Sequence, residues 1–196
     1  MLRLRLSMRI IVALLISFAI VNLYGQQASS FLVRVDESQI DDSPSGGTVS
    51  NCIIVTSDGR VHAERRLQKF PTPSATLRVY EGFIGDVKLR ELRDLLANRD
   101  IKDLPRFVPP KTPGAVYLRT STTVDIVSDD IAKTVGYMRW KSVKSQDSFE
   151  SAPEEVKVKE LKAESILKPL VTWLNKIDLE QFQTSHVSSN QCSADL

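Results

Sequence analysis

Three neighbouring stretches in the first half of the chain have hydrophobic and polar patterns typical of β-strands. These are residues 51–57, 60–70 and 75–82: the first is rich in apolar, β-branched residues, and side chains of the other two alternate between two faces. Asp58 and Gly59 separate the first two stretches, and this dipeptide tolerates the positive φ angles of a two-residue type I′ turn. A turn with two prolines separates the second and third. The pattern therefore predicts a three-stranded antiparallel meander.

A short strand is predicted ahead of the meander, because Phe31, Val33 and Val35 alternate with polar residues. Residues 41–48 then read DDSPSGGT, and their proline and paired glycines favour a loop without regular structure. We expect residues 26–50 to form an N-terminal strand followed by a flexible loop.

The hydrophobic period changes to that of a helix after the meander. Leu89, Leu92 and Leu96 recur on one face. Asp86 is a suitable N-cap, and Asn98 can close the other end. We expect this helix to cover one face of the meander, since a three-stranded sheet with a bare apolar face is only marginally stable.

The second half of the chain holds two more alternating stretches, residues 115–127 and 131–140, which predict further strands. A proline-rich connector at residues 104–114 precedes them, and its prolines exclude a regular ladder or helix. Residues 141–150 are polar and uneven, so they are predicted to form an exposed, mobile linker.

The last predicted element is a helix with an apolar stripe that extends to Ile177. Ser151 and Glu154 have the spacing of a capping box at its start. Pro169 either kinks this helix or begins a separate one.

Together these elements predict an α+β fold, with an antiparallel sheet of about five strands, one helix between the strand groups and a C-terminal helix. One domain is expected over residues 51–182, followed by a polar tail at residues 183–196.

The first 25 residues have the pattern of a secretory signal peptide. They contain three arginines and no acidic residue, and the run from Ile10 to Val21 carries no charge. This run is shorter than the ~20 apolar residues that a membrane-spanning helix needs. We expect cleavage after Gly25 and export to the periplasm or beyond; a buried N-terminal helix and an uncleaved signal that anchors the chain are the alternatives.

Loss of this segment makes the remaining chain nearly neutral. It removes three of the 26 basic residues and none of the 24 acidic ones. The positive charge expected of a nucleic-acid-binding protein is then missing, so nucleic acid is excluded as a partner. Contact with a membrane is expected only through the signal segment, if it stays uncleaved.

The chain has two cysteines, Cys52 and Cys192. In an oxidising compartment such a pair favours a disulfide. The alternative is two independent thiols, one buried and one in the tail. Two cysteines and two histidines at these spacings match no zinc pattern, so no metal site is predicted.

No catalytic or cofactor motif is present, neither a nucleophile elbow nor a phosphate-binding glycine loop, and we expect no cofactor and no catalytic residue. His62 with nearby carboxylates such as Glu64, Asp125, Asp129 and Asp130 leaves an acid–base hydrolase as an alternative.

One cluster suggests binding. If Arg66 and Arg78 share the solvent face of the sheet, they form a basic and aromatic patch with Tyr80 that suits an acidic partner. The alternative is a solvated sheet face whose charges keep the edges soluble.

The stretches SDGRVHAERRLQ, RVYEGFIGDVKLRELRDLL, LPRFVPPKTP, VGYMRW and LKPLVTWLN resemble a group of small exported bacterial proteins without an assigned function. The resemblance implies export and a single domain, and it carries over no catalytic residue. We therefore expect an exported, non-enzymatic domain that binds a protein or a cell-envelope component through its sheet face. An exported hydrolase and a signal-anchored structural envelope protein are the alternatives.

Overall fold

A computed structural model of the chain describes residues 31–72, 74–112, 115–128, 131–185 and 192. The predicted signal segment, Asp129, Asp130 and the second histidine, His186, lie outside these residues. Seven strands form one antiparallel sheet in the order β6-β5-β1-β2-β3-β4-β7. The strands are β1 (Phe31–Asp41), β2 (Gly47–Thr56), β3 (Arg60–Lys69), β4 (Ala75–Phe83), β5 (Val116–Ser128), β6 (Ile131–Ser142) and β7 (Gln183–Ser185).

The α+β class and the antiparallel sheet are as predicted, and the meander is confirmed as β2, β3 and β4. The predicted number of about five strands is wrong. β1 continues through polar residues to Asp41 and lies between β2 and β5, where it joins the two strand groups. β7 has three residues, which is too few to show a period. Because β2 begins at Gly47, the loop after β1 is also shorter than predicted.

The turn between β2 and β3 is longer than the two-residue turn that was predicted. Residues 57–59 separate the strands, and Gly59 has a φ of 87°. A three-residue hairpin loop that ends in a left-handed residue is a common alternative to type I′. A Cβ at this position would lie 2.9 Å from the carbonyl oxygen of Ile84, so the turn also needs glycine for space.

Two helices, and not the single one predicted, lie between β4 and β5. They are α1 (Asp86–Leu96) and the short α2 (Arg99–Asp103). Asp86 is the first helical residue of α1 and the N-cap is Gly85, whereas Asn98 caps α2 by accepting a hydrogen bond from the amide of Asp100. The helix after β6, α3 (Glu154–Asn175), runs through Pro169 without dividing into two.

The core lies between one face of the sheet and the helices, and we call this the helix-side face. Leu92 of α1 and Leu167, Leu170 and Leu174 of α3 are fully buried. They join one apolar cluster with sheet residues from β1 to β6. Burial of each such leucine stabilises the fold by roughly 1.5–3 kcal/mol relative to exposure.

The segment after β6 is not the exposed linker that was predicted. It forms two short 3-10 helices, Ser145–Asp147 and Phe149–Ser151, and Phe149 is 6% exposed. Phe149 packs edge-to-face on Trp140, with ring centroids 5.3 Å apart. The expected capping box does not form either, because Pro153 is the N-cap of α3 and makes no side-chain cap.

In the part of the chain that the structure describes, no helix is both long enough and apolar enough to cross a membrane.

Candidate functional site

The strand register separates the two arginines of the predicted patch. Arg78 lies opposite Arg65 across the β3–β4 pair, while Arg66 lies opposite Leu77. Because neighbouring residues of a strand point to opposite faces, Arg66 and Arg78 do not share a face. Tyr80 is on the helix-side face with Arg78, and it belongs to the core cluster.

Arg65 takes the place that was expected for Arg66. Its guanidinium carbon lies 5.8 Å from the centroid of the Tyr80 ring, within the range of a cation–π contact. Tyr80 is 8% exposed, so the ring is a fixed part of the core rather than a free contact residue. The basic and aromatic group on this face is therefore Arg65, Arg78 and Tyr80.

The distal half of the β3–β4 hairpin carries four cations on its two faces. We call residues 65–69 and 75–78 the basic hairpin tip. No acidic residue occurs between residues 65 and 78. All of residues 75–78 are exposed, as are most of residues 65–69. The cations are Arg65, Arg66, Lys69 and Arg78.

None of these four cations forms an ion pair with any residue that the structure describes. Arg65 and Arg78 are direct cross-strand neighbours, and like charges in that arrangement destabilise a sheet. Leu67, on the same face as Arg65, is 43% exposed, and Leu77, on the opposite face with Arg66, is 37% exposed. The tip thus combines uncompensated positive charge with exposed apolar surface, as binding surfaces do.

The opposite face of the sheet holds the disulfide. Cys52 and Cys192 are bonded, as predicted, with Cα atoms 6.0 Å apart. Cys52 of β2 lies directly opposite Glu64 of β3, and His62 lies two residues from Glu64 on the same face. We call Cys52, Cys192, His62 and Glu64 the disulfide cluster.

Short polar contacts connect the members of this cluster. Nε2 of His62 lies 2.9 Å from Oε1 of Glu64, and Nδ1 lies 3.4 Å from Oε1 of Glu81. The backbone amide of Cys192 donates to Glu64 at 3.4 Å. His62 and Glu64 are 7% and 5% exposed, so the contacts lie in a region of low water access.

Arg34 and Asp36 lie beside the cluster on β1. Arg34 donates to the carbonyl oxygen of Cys192 at 3.0 Å and to Asp36 at 2.7 Å. Burial raises the pKa of the Asp36 carboxyl, and the hydrogen bond from Arg34 opposes this effect. The guanidinium therefore contacts both Cys192 in the C-terminal segment and the partly buried carboxylate of Asp36.

The alternative of an acid–base enzyme depends on His62 and carboxylates. The structure does bring His62 and Glu64 together, and Asp125 accepts a hydrogen bond from Thr134 at 2.5 Å. Two surface cavities, of about 520 and 490 Å³, are lined by other residues. The described structure thus pairs an acid with a base but places neither cavity against the pair.

The sequence pattern missed one property of the disulfide cluster. Ligand atoms of His62, Glu64 and Cys192 all lie within 4.8 Å of one another. The spacing of these residues along the chain does not indicate that they lie close together. Cys192 lies 140 residues beyond Cys52 in the sequence, and only folding brings it to the sheet.

No protein-family model matches the chain, and a search of curated proteins finds no match.

Proposed function

We propose that this chain is an exported, non-enzymatic domain that binds an acidic protein surface through the basic hairpin tip. The observation that carries the proposal is the group of four cations, which form no ion pair with any described residue and lie beside exposed leucines, on a chain that is otherwise close to neutral. Positive charge of this kind increases the rate of encounter with an acidic partner and weakens binding to basic ones.

The arrangement of the tip suits protein recognition. Arginine and aromatic residues dominate the binding energy of protein interfaces, and Arg65 is already held against the Tyr80 ring. A held side chain loses less conformational entropy on binding. Leu67, on the same face as Arg65, provides apolar area that a partner can bury.

Export is part of the proposal and rests on the basic and then apolar N-terminal sequence. The Cys52–Cys192 disulfide is compatible with an oxidising compartment. Fractionation of expressing cells, with mass measurement of the N-terminus, tests this part separately.

The binding part is tested by charge reversal. The variant Arg65→Glu, Arg78→Glu is compared with a matched control, Lys88→Glu, Arg90→Glu, which makes the same charge change on the exposed side of α1. Each chain is used to capture partners from an envelope extract by cross-linking, and recovered proteins are quantified by mass spectrometry.

We expect the tip variant to lose at least about tenfold in recovery of an acidic partner, because each reversed contact removes attraction and adds repulsion. The control is expected to keep that partner, and salt at about 0.5 M to release it from both. Equal partner profiles for the tip variant and the unaltered chain would show that these charges only keep the sheet edge soluble.

A further inference from the structure

We propose that reduction of the Cys52–Cys192 disulfide converts the disulfide cluster into a zinc site. The ligands are the two thiolates, Nε2 of His62 and Oε1 of Glu64. This site is on the opposite face of the sheet from Tyr80 and is independent of the proposed binding function.

The geometry provides the ligands with little movement. Zinc bonds of about 2.0–2.3 Å place tetrahedral ligand atoms within about 4 Å of each other. The ligand atoms of His62, Glu64 and Cys192 already lie within 4.8 Å of one another. Cys52 is bonded to Cys192 and lies opposite Glu64, so its sulfur occupies the same region.

Three of the four ligands lie on adjacent strands of one sheet face, which fixes their relative positions. Cys52 is on β2, and His62 and Glu64 are on β3. The fourth, Cys192, comes from the C-terminal segment. A site in which strands supply most ligands is organised before the metal arrives.

The surroundings fit the requirements of bound zinc. A histidine ligand usually donates its second ring nitrogen to a carboxylate, and Nδ1 of His62 lies 3.4 Å from Glu81. Two thiolates and one carboxylate around Zn²⁺ leave one negative charge. Arg34, which donates to the carbonyl oxygen of Cys192, places a guanidinium beside that charge.

The chemistry of the switch is balanced by a dithiol reductant. Two electrons and two protons from the dithiol convert the disulfide into two thiols, and the dithiol becomes a cyclic disulfide. Zinc then displaces the two thiol protons, which are released to solvent. The sulfur and imidazole ligands favour zinc over magnesium or calcium.

The experiment titrates the full chain with Co²⁺, a spectroscopic substitute for zinc, in its oxidised and its dithiol-reduced form. We expect the reduced chain to show a thiolate-to-cobalt absorption band that zinc abolishes, with release of about two protons for each metal ion. The oxidised chain is expected to show no such band, because its sulfurs are bonded to each other.

Variants identify the ligands. His62→Ala and Glu64→Gln are expected to weaken zinc binding at least about tenfold, and Glu81→Gln, as a neighbour of His62, about tenfold or more. His186→Ala is the matched control, since it removes the other histidine of the chain, and it should leave binding unchanged. Circular dichroism follows folding in every sample.

The outcomes separate clearly. If the reduced chain unfolds without metal, zinc is expected to restore its far-ultraviolet spectrum. Absence of the thiolate band in the reduced chain, equal binding by the oxidised chain, or loss of binding in His186→Ala but not in His62→Ala would each overturn the proposal. None of these results bears on capture of an acidic partner by the hairpin tip.

Discussion

The Cys52–Cys192 disulfide closes a loop with a sequence separation of 140 residues, so its removal should be costly. The perturbation is the double variant Cys52→Ala, Cys192→Ala, which leaves no free thiol in the chain. In the chain-entropy treatment, a crosslink across a loop of this length stabilises the folded state by about 5 kcal/mol at 25 °C. Domains of this size are stable by roughly 5–15 kcal/mol, so a large fraction of the stability is involved.

Contacts in the folded state add to this amount. Without the crosslink, the hydrogen bonds of Cys192 with Arg34 and Glu64 have to hold the C-terminal segment unaided. Each contributes about 0.5–1.5 kcal/mol when it is kept. Loss of the segment would also expose His62 and the Asp36 carboxyl, whose pKa is raised by burial, to water.

The assay is urea unfolding followed by circular dichroism, with a metal chelator present. The double variant and the dithiol-reduced unaltered chain are expected to lose the same stability, at least about 5 kcal/mol. The dependence on urea should become steeper, because an unfolded chain without the crosslink exposes more surface. A loss below about 1 kcal/mol in both samples would refute the loop-closure reasoning.

Two further predictions concern the region around β6 and α3. Glu160 is 2% exposed and accepts a hydrogen bond from the amide of Met138. Burial raises the pKa of its carboxyl above 4.5. The stability that Glu160 contributes is therefore complete below pH 4.5 and is lost as the pH rises through the raised pKa. Glu160→Gln should therefore flatten the pH dependence of urea unfolding above pH 4.5, and an unchanged profile would contradict this cause. Phe149→Ala should cost about 3–5 kcal/mol in thermal unfolding because it empties the contact with Trp140, whereas the result expected of a solvated linker is no change.

The elements that the sequence predicts well are those with a clear local period. β2 holds a short run of apolar, β-branched residues, β3 and β4 alternate over part of their length, and Leu89, Leu92 and Leu96 recur at helical spacing, so the meander and α1 could be placed from the pattern. The disulfide could also be predicted, since two cysteines allow one pairing.

The missed elements depend on tertiary contacts and strand pairing that the local hydrophobic period does not show. The segment after β6 is polar, yet it is ordered by the burial of Phe149 and by two hydrogen bonds, from the Trp140 indole to Asp147 and from the Ser142 amide to Ser148. β1 carries polar residues after Val35 and is nevertheless paired on both sides as far as Asp41. The hydrophobic pattern of a short stretch of sequence does not reveal such contacts.

The predicted patch shows how strongly a binding site depends on register. Arg66 and Arg78 would share a face if the β3–β4 pairing moved by one residue, because such a shift inverts the face of every side chain in one strand. The observed register is set where Val61 and Ala63 enter the core. The apolar end of the hairpin therefore decides which cations appear together at the polar end.

The exposure of the tip coincides with a change in burial along β3. Its residues are buried from Val61 to Glu64 and mostly exposed from Arg65 to Lys69. Uncovered strands normally invite pairing with other chains, and charged residues discourage it. Solubility alone would be served by cations and acids together, so the absence of any acidic residue between residues 65 and 78 favours an acidic partner as the reason for the charge.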